Sequence, residues 1–161
     1  MNKTLIIGYG NPNREDDGVA WHILQKLATH FNVPLVSIVA SDEFDPTHYP
    51  HLVFELQLTP EMSEAMAEYD FVCFVDAHTG AYEEEVRVAP ITPAYQMSPF
   101  THHLTPESCL SLAETLYGYA PKGLMVSVRG YQFGYKTELS GRTALIADEA
   151  VTCIIKWVIG D

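Results

Sequence analysis

The sequence predicts an α/β protein, a three-layer α/β/α sandwich around a mostly parallel sheet of about five strands. Three observations lead there. Short apolar runs alternate with segments of helical periodicity. The run Phe71-Val72-Cys73-Phe74-Val75-Asp76-Ala77 is continuously apolar until its acid, as expected of a strand buried on both faces. Helix-start signals open two of the intervening segments. The 161 residues are expected to form a single domain over positions 1–161.

The elements follow in order. Leu5–Gly8 reads as a first strand, ended by the turn Gly8-Tyr9-Gly10-Asn11. A helix is expected from about Asp16 to Phe31, where Ala20, Ile23, Leu24, Leu27, Ala28 and Phe31 recur at helical spacing. Residues 34–39 and 51–56 read as strands, separated by an acidic loop over 40–50. Thr59-Pro60-Glu61 signals a helix with Thr59 as N-cap and Pro60 in the first position, reaching about Tyr69. Beyond the Asp76 strand, residues 85–91 alternate as a strand should. Thr105-Pro106-Glu107 repeats the helix start, and Gly118 stops that helix. Residues 124–134 read as the last strand and 143–159 as an apolar closing helix.

Charge and cysteine content exclude some functions. There are 21 Asp+Glu against 9 Lys+Arg, a formal net charge of −12. Nucleic-acid binding draws on cationic neutralisation of phosphates, so no nucleic-acid partner is expected. Cys73, Cys109 and Cys153 form no CxxC pair and are expected as small core residues. With no leader and no apolar run long enough to span a bilayer, a cytoplasmic protein without a membrane partner is expected.

Ligands of open α/β sheets gather beyond the carboxyl ends of the strands, where strand order reverses. The first strand delivers Gly10, Asn11, Asp16 and Asp17 to that rim. The Asp76 strand, expected beside it, delivers Asp76 and His78, and Thr101-His102-His103-Leu104 stands just before a helix start. Two carboxylates and an imidazole on separate loops make a divalent-metal set with positions open for a substrate. Each has an ordinary alternative: Asp16 and Asp17 as acids facing a helix dipole, Asp76 as a turn cap, His102 and His103 as exposed loop residues. His78 lies near the rim, whereas His22, His30, His48 and His51 carry no partner pattern. No Gly-x-Ser-x-Gly elbow is present, and the glycine turn lacks the third glycine of a dinucleotide site.

Residues 6–20 (IIGYGNPNREDDGVA), then 74–77 (FVDA), then Thr101-His102-His103-Leu104 with the helix that follows, resemble the endopeptidases that mature nickel–iron hydrogenases. The resemblance spans nearly the whole chain. It implies removal of a short C-terminal extension from a hydrogenase large-subunit precursor once nickel is in place. It implies a metal-contacting and catalytic set of Asp17, Asp76 and His102, with His102 preferred to His103 because Leu104 then falls in register. The nickel is expected to be presented by the substrate, although other divalent ions could occupy the site, and the chain is expected to be a monomer. One departure is the stretch 56–62, LQLTPEM, where the family often carries an Asp-Gly-Gly-Thr turn. Two further readings remain: a metal-sensing or chaperone-like binding module on the same fold, and a peptidyl-tRNA hydrolase. The last shares the Gly-x-Gly-Asn-Pro opening but needs a basic face.

Overall fold

The computed structural model describes residues 2–37, 43–95 and 104–160. Among these residues six strands form one sheet, β1 (Thr4–Tyr9), β2 (Leu35–Val36), β3 (His51–Glu55), β4 (Phe71–His78), β5 (Val86–Ile91) and β6 (Lys122–Arg129), in the order β2-β3-β1-β4-β6-β5. All neighbours run parallel except β5, which lies antiparallel to β6 at one edge. The expected three-layer architecture holds, with one strand more than the five or so foreseen. After β1 the chain fills one side of the sheet, and with β4 it crosses to the other. The β1/β4 junction is therefore the point where strand order reverses.

Among the described residues, four α-helices cover the two faces: α1 (Val19–Phe31), α2 (Glu61–Met66), α3 (Pro106–Tyr117) and α4 (Gly141–Ile159). Helices α1 and α4 pack Ile23, Leu24, Leu27, Ile146, Ala150 and Ile154 onto Ile6, Cys73, Val75, Val126 and Val128. On the opposite face, Met62 and Met66 of α2 and Cys109, Leu110 and Ala113 of α3 cover Leu5, Ile7, Val53, Val72 and Phe74. Odd and even positions of each strand thus divide cleanly between two cores. Each fully buried Leu, Ile or Phe is worth about 1.5–3 kcal/mol of transfer free energy.

The helix ends explain where the elements stop. Thr105 accepts a hydrogen bond from the Ser108 N–H at 3.1 Å, and Gly118 closes α3 at φ 77°, as the sequence signals predict. A 3-10 turn, Glu15–Gly18, replaces the first turn expected of α1. Helix α2 is shorter than expected, and the Thr59 side chain does not cap it. Instead Met62 N–H donates to the Thr59 carbonyl (3.2 Å), and i→i+3 bonds from Glu68 and Tyr69 tighten the exit. Strand β6 begins at Lys122 and ends at Arg129, so residues 130–134 leave the sheet. Cys73 and Cys109 are buried, but Cys153 is exposed. It lies off the Ile146–Ala147–Ala150–Ile154 stripe that α4 turns inward. Among the described residues, no helix is long and apolar enough to cross a membrane.

Candidate functional site

The glycine turn after β1 makes a close crossing. Gly10 has φ +139°, and a Cβ there would stand 2.2 Å from the Asp17 carbonyl oxygen. Only glycine fits such an approach. The turn brings Asp17 back beside the strand end, where its carboxylate accepts the Asn11 N–H at 2.8 Å. Asp17 is half-buried, with its side chain at the β1/β4 junction.

The adjacent acid does something else. Asp16 is fully buried and accepts from the backbone of Tyr131 (2.8 Å), Gln132 (2.9 Å) and Ser140 (2.8 Å). The hydroxyls of Ser140 (2.7 Å) and Thr143 (2.9 Å) also donate to it. Burial alone would push its carboxyl up, but these hydrogen bonds outweigh that and hold it below the usual value. Glu15 and Arg14 extend the clasp: Gly134 N–H donates to Glu15 Oε1 (3.0 Å), and Arg14 donates to the Phe133 carbonyl. Asp16 is thus a structural latch between the turn after β1 and the segment after β6. The helix-capping alternative weighed for the acidic pair does not describe Asp16: α1 opens at Gly18 with no side-chain cap bond, and Asp16 is tied to residues 131–143 instead.

Asp76 ends the two-faced burial of β4. The period of two sets it on the same face as Val72 and Phe74, and Leu5, Ile7 and Tyr9 share that face from β1. Gly8 pairs with Val75, so Tyr9 and Asp76 are the next neighbours across the junction. The Tyr9 hydroxyl donates to the Asp76 carboxylate, and Ala77 N–H donates to Asp76 Oδ1 at 2.7 Å. Burial pushes the Asp76 carboxyl up to about 7, and the nearby charge of Asp17 pushes in the same direction. Burial, then Asp76 itself, raises the Tyr9 hydroxyl well above its ordinary value, so it remains a donor. Tyr9 escapes sequence reasoning because it reads as part of the glycine turn, whereas β1 runs on through it. The usable signal was parity: it is two residues beyond Ile7 and faces Asp76.

Of the three residues singled out for the metal set, Asp17 and Asp76 come together at the junction. His102 and His103 lie outside the described residues. The helix start that follows them does reach this place, because Glu107 adds to the upward push on the Tyr9 hydroxyl. His78 is buried and occupied: Gly80 N–H donates to its Nδ1 (3.2 Å), and its Nε2 meets the Glu84 carbonyl (3.0 Å). That ring supports the loop after β4 and turns no nitrogen to the junction. His51, without a pattern in the sequence, is buried at the other end of the sheet between Phe44 and Tyr49, with Tyr69 on its Nδ1 at 2.7 Å. Among the described residues, no three His, Cys, Asp or Glu side chains are grouped to hold a metal ion. Two carboxylates that feel one another's charge at a strand-order reversal, one pushed up to about 7, can exchange a proton with a substrate or complete the ligand shell of a cation brought to them.

No family model matches the chain, and neither does any curated protein. Solved structures do. HybD, the hydrogenase maturating endopeptidase from E. coli, superposes with a TM-score of 0.68 at 16% identity, over 98% of this chain and 93% of that one. The [NiFe] hydrogenase maturation protease HycI from Thermococcus kodakarensis KOD1 gives 0.63 at 19% identity, over 95% and 90%. HybD from Thermococcus kodakarensis gives 0.65 at 14% identity, over 96% and 98%. At such identities the likeness is one of architecture, and it extends over the whole length: this chain has the fold of the hydrogenase maturation endopeptidases.

Proposed function

We propose that this protein is an endopeptidase that removes a C-terminal extension from a nickel-loaded large-subunit precursor of a nickel–iron hydrogenase. The observation that carries the reading is the convergence of Asp17 and Asp76 at the strand-order reversal, on a fold otherwise met in proteins of that activity. Asp17, Asp76 and His102 complete the coordination of nickel presented by the substrate. The metal belongs to the substrate and licenses cleavage. Asp76 keeps a second carboxylate oxygen for taking a proton from the attacking water as the scissile bond is hydrolysed.

Nickel-loaded and nickel-free precursor incubated with the protein test the reading on a gel. Loss of the tail from the loaded form alone supports it. Tight binding with the tail intact would replace it with a metal-sensing or chaperone-like module, and peptidyl-tRNA turnover would replace it with a hydrolase of a different substrate. Asp17→Asn, Asp76→Asn and His102→Ala are expected to abolish processing in folded protein. His103→Ala is expected to be mild, and an equal loss would exchange the two histidines.

A further inference from the structure

Basic residues are scarce in this chain, with 9 Lys+Arg against 21 Asp+Glu, and an arginine would ordinarily be found beside a carboxylate. The ion pairs among the described residues are Lys26–Asp148 and Arg142–Glu85. Three other arginines lie on tyrosine rings. The Arg14 guanidinium is 4.7 Å from the Tyr135 centroid, Arg87 is 4.3 Å from Tyr82, and Arg129 is 4.8 Å from Tyr131. The three rings are 87%, 39% and 45% exposed.

All three pairs stand at one end of the molecule. Arg14 precedes Asp17 by three residues in the same turn. Arg129 pairs in register with His78, two residues past Asp76, and Tyr82 stands edge-on to the His78 ring at 5.2 Å. Arg87 pairs with Ser127, which pairs with Asp76. Two strand spacings therefore separate Arg87 from Asp76, about 10 Å across the sheet. Arg14 and Arg129 also donate to the carbonyls of Phe133 and Gly130, and the Arg129–Tyr131 pair borders Glu85, which accepts from the Tyr131 hydroxyl at 2.6 Å. Among the described residues, the guanidinium of Arg87 is held by its ring alone.

A guanidinium stacked on a ring is already oriented, and its edge still offers the fork of donors that fits a carboxylate. Exposed tyrosine and arginine are also the residue types that anchor protein interfaces. A polyphosphate ligand is disfavoured by the net charge of −12, whereas a folded protein presents carboxylates sparsely enough to be met one at a time. We propose that the rim carrying Arg14–Tyr135, Arg87–Tyr82 and Arg129–Tyr131 is the docking surface for the substrate protein. Its stacked arginines take carboxylates on the folded body of that protein, while the tail enters between Asp17 and Asp76. This rests on the reading that the substrate is the large-subunit precursor.

Nickel-loaded precursor is immobilised, and wild-type, Arg87→Ala, Arg87→Lys, Tyr82→Ala and Tyr135→Ala chains are titrated onto it before appreciable tail removal. KM and kcat then come from tail removal, and thermal melts check that each variant folds. Arg87→Ala is expected to weaken Kd and raise KM about tenfold with kcat within about twofold. Arg87→Lys should recover only part of the loss, and Lys26→Ala, on the outer faces of α1 and α4, none of it to lose. Unchanged Kd and KM in all the rim variants, while wild type removes the tail, would overturn the docking surface and leave the endopeptidase reading standing. Rim-dependent binding with the tail intact would do the reverse. A wild-type chain that fails to bind the loaded precursor overturns both.

Discussion

Asp16 and Asp76 are both drawn into the protein at the carboxyl end of the sheet, yet their surroundings act on them in opposite directions. Asp16 enters the α1/α4 side and meets five donors from residues 131–143. Its charge is more comfortable there than in water, and its carboxyl titrates low. Asp76 faces the α2/α3 side with the Ala77 N–H, the Tyr9 hydroxyl and a second carboxylate for company. Its proton is held up to about 7. A buried acid saturated with donors is part of the scaffold; the one left short of them is the acid we propose for the chemistry.

The contrast breaks most visibly on removing the acceptor. Asp16→Ala strands several buried donors and should cost about 3–5 kcal/mol in a denaturant titration, whereas Asp76→Asn should cost nothing at pH 8. Comparable losses at both positions would erase the distinction. Gly10→Ala comes next. Its Cβ would meet the Asp17 carbonyl, so a loss of about 2 kcal/mol or more is expected, together with impaired function.

Titration sharpens the comparison further. The folded protein holds the Asp76 proton more tightly than the unfolded chain, whose carboxyl keeps the ordinary 3.8. Wild type therefore loses stability as pH rises from about 4 to about 7 through this group, and Asp76→Asn is spared that loss. The gap between the two, read from melts across pH, should open in favour of Asn by about 1 kcal/mol or more and stay flat above neutrality. Asp16 has the opposite sign. Its contribution is complete above its ordinary 3.8 and is lost on acidification below that. The smallest effect is expected at Glu15, whose φ of 46° suits glycine. In Glu15→Gly, relief of that backbone conformation offsets the lost bond from Gly134, for a net change within about 1 kcal/mol.

Local signals carried most of the fold. The Thr105 cap, the Gly118 stop and the unbroken apolar run ending at Asp76 each depend on contacts a few residues long, and all three took the expected form. The antiparallel direction of β5 depends on its partner strand, which alternation along 85–91 does not encode. Thr59 carries the same residue pattern as Thr105, yet its helix opens with a backbone turn. At the site, the sequence placed an acidic pair after the glycine turn. Which member faces inward was decided by Ser140 and Thr143, more than 120 positions away. Parity puts Tyr9 on the Asp76 face, but that the two are neighbours follows from strand register, with Gly8 paired to Val75.

The latch at Asp16 has a consequence for how the protein comes into being. The turn that aims Asp17 is braced by residues more than a hundred positions further along, so a growing chain has no finished site until position 143 has emerged. An N-terminal fragment that stops short of that position would carry Asp17 without its brace.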